Sequence, residues 1–163
     1  MLIPVVGPSK AGKTQTTLRL ATDGILTGVE LIDLDERLGS SHRGDGDEAA
    51  RILQAHSAEG PLRHVLVDVG AGQLVSPVFG SYLRSLFGYP RSVVVIWCDE
   101  FTFRQRHGDN AHNEVRRYYG AGSLQDFWDA ARASGRLIDT SGPYAPATWA
   151  RDLGIVVKEM LQI

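Results

Sequence analysis

Residues 7–14 read Gly7-Pro8-Ser9-Lys10-Ala11-Gly12-Lys13-Thr14, a complete match to the pattern G-x-x-x-x-G-K-[ST]. The apolar run Leu2-Ile3-Pro4-Val5-Val6 precedes it and the helix-compatible stretch Gln15 to Ala21 follows. That order constrains the fold strongly, because such a loop needs a buried strand at one end and a helix N-terminus at the other. Backbone N–H groups along the loop, Gly7, Ser9, Lys10, Ala11 and Gly12 among them, are expected to converge on phosphate oxygens. The positive end of the helix dipole adds to the attraction. Lys13 is placed to reach the terminal phosphates of a nucleotide, and the Thr14 hydroxyl to complete a Mg²⁺ shell. The competing explanation is a glycine-rich turn with no ligand.

Five short β-branched runs alternate with helix-like stretches: Leu2–Val6, Val29–Leu34, His64–Val69, Ser92–Cys98 and Arg136–Asp139. Several are nearly continuous in hydrophobicity, as in parallel strands covered on both faces. Helices are expected over Asp47–Ala55, over Leu74–Phe87 and over Pro146–Leu161, where proline opens a Trp149, Leu153, Val156/Val157, Met160 stripe that reads as core packing. The alternation predicts one α/β domain, a three-layer α/β/α sandwich with right-handed crossovers. A length of 163 residues suffices for one full core.

Composition narrows the class further. A formal net charge of −2 argues against a general nucleic-acid binder. Cations are mostly arginine, with Lys10, Lys13 and Lys158 the lysines, which suits phosphate contacts but follows equally from codon bias. Cys98 is the single cysteine, so no internal disulfide or cysteine-based metal site is available. No run approaches membrane-spanning length and the first apolar run is too short for a signal peptide. The expectation is a cytoplasmic monomer or homodimer without a membrane partner.

Carboxylates close the second and third runs. Asp33 and Asp35 are two apart, so on an extended segment they share a face and point into the crevice at the carboxyl ends of the strands. One would hold a metal-bound water, and the other would orient or deprotonate an acceptor hydroxyl. The alternative is a polar turn in which Asp35-Glu36 caps a helix. Asp68 ends Val65-Leu66-Val67 and is followed by Gly70-Ala71-Gly72. That carboxylate suits Mg²⁺ or its water, and the glycines permit close ligand approach or a tight turn. Arg104 to Tyr119 is polar and cation-rich, with too few apolar positions for a buried strand. It is either a solvated helix and loop or a lid that brings arginines to a transferred phosphoryl group.

Taken in order, these motifs and the late Asp139-Thr140-Ser141-Gly142 turn resemble the shikimate-kinase-like group of small-molecule kinases, with gluconate and adenylylsulfate kinases more distantly similar. The resemblance implies a P-loop kinase fold with a five-stranded parallel sheet in order 2-3-1-4-5 and a lid, with ATP as donor and Mg²⁺. By position it implies Thr14, Asp33 and Asp68 on the metal side and Asp35 at the acceptor hydroxyl. Gly70, Ala71 and Gly72 would line the acceptor pocket. A lid arginine among Arg104, Arg106, Arg116 and Arg117 would serve the phosphates, with Arg116 and Arg117 at the chemistry and Arg104 toward the nucleotide. The turn at Thr140 would lie near the adenine. The segment after Asp35 is short for a shikimate kinase, and its acceptor-binding arginine has only Arg37 and Arg43 as candidates. Arg43 is the better placed, within Ser40-Ser41-His42-Arg43-Gly44-Asp45, and the lid lacks the family's Arg-Pro-Leu-Leu sequence. A hydroxylated small molecule other than shikimate is therefore the expected acceptor.

The histidines have no zinc-helix spacing. His64 reads as a strand start, His107 and His112 as lid decoration, and His42 as a possible contact to an anionic acceptor. Cys98, Trp97, Trp128 and Trp149 read as packing residues. Two other functions fit the same motifs: a nucleoside or nucleotide kinase, and a regulatory ATP-binding protein with no acceptor. An Asn-Lys-x-Asp guanine-reading motif is absent, against a GTPase.

Overall fold

The structure is a computed structural model describing residues 1–40, 45–58, 64–70, 93–119 and 125–163. Its strands are β1 (Leu2–Val6), β2 (Val29–Asp33), β3 (His64–Asp68), β4 (Val94–Trp97) and β5 (Leu137–Asp139). They pair only in parallel, as one sheet in the order β2-β3-β1-β4-β5. The observed strands match the expected runs to within a residue or two at the ends. Ser92, the first residue of the expected fourth run, lies outside the described residues.

Burial explains why the strands are continuous in hydrophobicity. Ile3, Val5, Val6, Val67, Val94, Val95 and Ile96 are fully excluded from solvent, as a parallel sheet with helices flanking it requires. The helices are α1 (Lys13–Thr22), α2 (Leu34–Leu38), α3 (Gly46–Ala58), α4 (Glu100–His107), α5 (Ala111–Tyr119), α6 (Gln125–Ala133) and α7 (Pro146–Leu161). A single 3₁₀ turn, Gly108–Asn110, joins α4 to α5. The expected helix over 74–87 lies outside the described residues. No helix among those described is long and apolar enough to cross a membrane.

The polar stretch 104–119 is helical, and its sparse apolar residues are spent on one face. Phe103, Ala111, Val115 and Tyr118 are buried, while Arg104, His112 and Arg116 face solvent. Trp128 of α6 donates through Nε1 to the Tyr118 carbonyl at 2.9 Å, which ties this pair of helices to the next. A segment anchored this way is part of the core on one side and polar only on the other.

Helix α7 lies along α1, burying Trp149, Ala150, Leu153 and Val157 as its stripe predicts. The contact is close enough to need glycine at 154, where a Cβ would come within 2.5 Å of Ile25 Cγ2 and 3.3 Å of Leu20 Cδ1. Alanine there gains about 1 kcal/mol of helix propensity but meets an overpacking cost of about 1–3 kcal/mol. Gly154→Ala is therefore expected to lower stability modestly in urea unfolding. In an Ile25→Ala background, which removes the clashing methyl, the same change is expected to become neutral or stabilising. An equal effect in both backgrounds would show that the contact does not limit the packing.

Candidate functional site at the carboxyl end of the sheet

The loop between β1 and α1 is shaped by close backbone approach. A Cβ on Gly7 would fall 2.0 Å from the Ile96 carbonyl oxygen, so only glycine lets the loop leave β1 alongside β4. Gly12 has φ +94°, and a Cβ there would sit 3.1 Å from the Trp149 ring. Lys10 also takes a left-handed conformation, φ 58°. For a non-glycine residue this costs on the order of 1 kcal/mol, so the surroundings must hold it.

Three successive carbonyls of the loop are met by side chains from distant elements. Thr140, fully buried, donates through Oγ1 to the Ala11 oxygen at 2.6 Å. Arg106 Nη1 reaches the Lys10 oxygen at 3.3 Å, and its Nη2 donates to the Thr140 carbonyl at 2.6 Å. His107 Nε2 lies 3.4 Å from the Ser9 oxygen, a hydrogen bond when that nitrogen carries the proton. At the helix end, α1 starts at Lys13 with no side-chain cap and no acidic residue in its first turn. Its N-terminal N–H groups and its partial positive charge therefore meet no countercharge from α1 itself.

The carboxylates converge here through strand register. Asp33 and Asp68 end neighbouring strands directly opposite each other, and Val5, just before the loop, is opposite Asp68 on the other side. Asp68 Oδ2 accepts from Thr14 Oγ1 and from Thr17 Oγ1, each at 3.3 Å. Burial pushes the Asp68 carboxyl above its ordinary value, the Lys13 ammonium pulls it back, and the Asp33 charge pushes it up again. The threonine hydrogen bonds also favour the ionised form.

One expectation is corrected. Asp33 and Asp35 do not share the face of an extended segment, because the chain turns into α2 immediately after Asp33. Asp33, extended at φ −86° and ψ 110°, is itself the helix cap, accepting from Glu36 N at 3.0 Å. Asp35 falls in the first turn of α2, and it is Asp33, not Asp35-Glu36, that caps. The capping bond occupies Asp33 Oδ1.

Beside the loop, a cleft of about 430 Å³ is lined by Lys10, Gly12, Gln15, Thr102, Gln105, Arg106, Gly142, Tyr144 and Trp149. The Arg106 guanidinium lies over the Trp149 ring, 5.3 Å from its centroid. Tyr144 packs edge-on against Trp149 at 5.4 Å and donates to Gln15 Oε1 at 3.0 Å. The cleft's outer wall is fixed by the 139–142 turn. Ser141 Oγ accepts from Asp99 N, and Gly142 N donates to Thr102 Oγ1. Thr140 is thus a tie between β5 and the loop, and Gly142 is the residue of that turn exposed to the cleft.

A second cleft, about 550 Å³, is lined by Ser9 of the loop and by His107, Asp109, Asn110, His112, Asn113, Glu114 and Tyr118. Of the three candidate arginines whose side chains are described, Arg106 alone is hydrogen-bonded to the loop. Arg104 pairs with Glu100 at 2.7 Å on the exposed face of α4, and Arg116 is solvent-exposed on α5. The Arg117 side chain, Arg43, Ala71, Gly72 and His42 lie outside the described residues, while Gly70 follows β3 and is buried. Cys98 is a buried free thiol, raised above its ordinary value by burial, as a packing residue should be. Arg106 belongs to the arginine set, but Gln15, Tyr144, Trp149 and His107 carry no sequence signal that separates them from packing or surface residues.

The residues fit a hard cation only in part. Thr14 and Asp68 offer oxygen ligands beside the loop, which suits Mg²⁺ held chiefly by phosphates and water. Among the described residues no group of three or more His, Cys, Asp or Glu could hold a metal alone. No protein-family model matches the chain, and a comparison with curated proteins finds no significant match.

The Asp68 environment yields a pH-dependent prediction. A carboxyl raised above its unfolded value is a net penalty at neutral pH, and that penalty disappears as pH falls through the folded value toward the unfolded one. Asp68→Asn, which can still accept from Thr14 and Thr17, is expected to raise the melting temperature of the ligand-free protein at pH 7. The gain should shrink as pH falls toward the ordinary carboxyl range, where protonation relieves the same penalty in the wild type. Thermal unfolding at pH 7 and at progressively lower pH checks this; a loss of stability at pH 7 would mean that the Lys13–Asp68 attraction outweighs burial.

Proposed function

We propose that the chain is a Mg²⁺-dependent phosphotransferase that moves the γ-phosphoryl group of ATP to a hydroxyl of a small molecule. The observation that carries this is the convergence at one sheet end of an uncapped helix N-terminus, Lys13, and the Thr14–Asp68 pair. A nucleotide's phosphates would lie along the loop, with Lys13 and the first N–H groups of α1 neutralising charge that grows in the transition state. The base would enter the cleft beside Arg106 and Tyr144, a cation and an aromatic ring suited to stacking. Thr14 and Asp68 would hold the metal, directly or through water, and Asp33 would add charge beside them. The metal itself would screen the β- and γ-oxygens.

In the transfer step, the acceptor oxygen bonds to the γ-phosphorus as the bond to the β,γ-bridging oxygen breaks. The electron pair leaves on ADP, and the acceptor proton passes to the Asp35 carboxylate. In this reading α4 and α5 take the part of the lid, with closure confined to their outer turn because Phe103 and Tyr118 are anchored in the core. Arg106, bonded to the loop, takes the place of Arg104 at the nucleotide. The shikimate-kinase-like resemblance points the same way.

A coupled assay for ADP release over polyols, amino alcohols, sugars and nucleosides tests the proposal. Lys13→Ala is expected to abolish turnover. Asp35→Asn should lower it by about 100- to 10,000-fold while leaving ATP binding intact. Nucleosides as the best acceptors would favour the nucleoside-kinase reading. ATP hydrolysis indifferent to every acceptor would mean a regulatory ATPase and would sink the transfer reading.

A further inference from the structure

Thr140 is fully buried and lines neither cleft, so the place near an adenine that its position in the chain implied is closed to it. Its polar atoms are all committed to the protein. The backbone N–H donates to the Trp97 carbonyl at 2.7 Å, and the backbone carbonyl accepts from Arg106 Nη2 at 2.6 Å. The side-chain oxygen has two carbonyls in reach, Ala11 at 2.6 Å and Trp97 at 3.1 Å, with Arg106 Nη1 at 3.4 Å. A hydroxyl has one proton to give. Trp97 already receives the Thr140 N–H and Ala11 is nearer, so the proton goes to Ala11. Arg106 can then donate to a remaining lone pair, completing a hydrogen-bonded chain from guanidinium to loop.

The bond to Ala11 also orients the atom on the far side of the same peptide. Ala11 C=O and Gly12 N–H belong to one planar trans unit and point in opposite directions. Holding the oxygen against Thr140 therefore aims the Gly12 N–H away from Thr140. Among the described residues the Ala11 oxygen takes a hydrogen bond from Thr140 alone. Gly12 N and Lys13 N donate to no backbone oxygen among the described residues, whereas Ala11 N closes a turn to Pro8 O at 3.2 Å. The positive φ at Lys10 and at Gly12 is the backbone alternation that brings successive N–H groups to one anion.

We propose that Thr140 is a positioning residue for the phosphate chain: its hydroxyl sets the Ala11–Gly12 peptide so that the Gly12 N–H is already aimed at a phosphate oxygen. Thr140 acts through the loop and touches no ligand. The role rests on the nucleotide-binding half of the reading above and not on the transfer step. It moves Thr140 from the adenine end of the nucleotide to the phosphate end.

The test is equilibrium binding of ATP and of inorganic tripolyphosphate, each with Mg²⁺, by titration calorimetry. Thr140→Val removes the donor and is expected to raise both Kd values by the same factor, about tenfold, the scale of one hydrogen bond to a charged group. Thr140→Ser keeps the hydroxyl and should return both to within about twofold of wild type. Gly154→Ala, destabilised at a contact away from the loop, should change neither. Should the valine variant not fold, Thr140→Ala, which sets no methyl against the two carbonyls, carries the same expectation. A loss confined to ATP, unchanged constants without the hydroxyl, or failure of serine to restore binding overturns the positioning role. Failure of the wild type to bind either ligand overturns that role and the nucleotide reading together. Binding as expected without acceptor-dependent ADP release overturns the transfer step and leaves the role of Thr140 standing.

Discussion

Three carbonyls in a row, on Ser9, Lys10 and Ala11, are held by His107, Arg106 and Thr140, and the geometry of the site depends on that grip. A loop whose carbonyls are drawn toward α4 and the β5–α7 connection has its peptide planes oriented by elements far away in sequence. The same grip explains how Lys10 is kept at positive φ without being glycine. Within the loop, glycine is needed at Gly7, against the Ile96 carbonyl, and at Gly12, which combines a positive φ with the Trp149 ring. Preorganisation of this kind matters for an anion site, because donors that are already aimed need no reorganisation when charge develops.

The grip also ties the loop to the sheet. Thr140 N donates to the Trp97 carbonyl at 2.7 Å while its hydroxyl reaches Ala11, so the ends of β4 and β5 and the loop form one hydrogen-bonded unit. On the other side of β1, the registered pair Asp33 and Asp68 brings carboxylates beside Lys13. Burial holds the Asp68 carboxyl above its ordinary value, which predicts a stability cost in the ligand-free protein. A cation placed there would reverse the sign of that cost, since an ionised carboxylate is the form a metal requires. The site therefore carries an electrostatic tension that a bound divalent cation would relieve.

The legible part of this molecule was the part governed by local pattern. Continuous β-branched runs located all five strands, and their alternation with helices gave the parallel sheet in its order once the motif resemblance was added. The α7 stripe read correctly because Leu153 and Val157 repeat at helical spacing. What pattern misjudged was the Asp33–Asp35 pair. Two residues of spacing imply a shared face only while the chain stays extended, and an aspartate followed by Leu34-Asp35-Glu36 serves equally well as a cap. Arg106 could not be singled out from Arg104 by spacing. The two differ because Arg104 has Glu100 one turn before it, while Arg106 faces a carbonyl 96 residues away. Long-range partners of that kind leave no local trace.

Trp149 shows how far a packing role and a site role can coincide. Only 4% of its surface is exposed, because Gly12 covers one edge and Arg106 lies over its ring. It has little free face to offer a ligand and so acts as the platform for the guanidinium. Backbone carbonyls on Lys10 and Thr140 fix Arg106 from the side. A cation held in place in this way loses little entropy when something packs against it. Tyr144, 66% exposed and edge-on to Trp149, is the aromatic surface that remains available beside it. A planar ligand in this cleft would thus lie near a guanidinium and a tyrosine, both packed against the tryptophan. Replacing Trp149 should consequently disturb the Arg106 geometry and the Gly12 turn together, coupling the cleft to the loop.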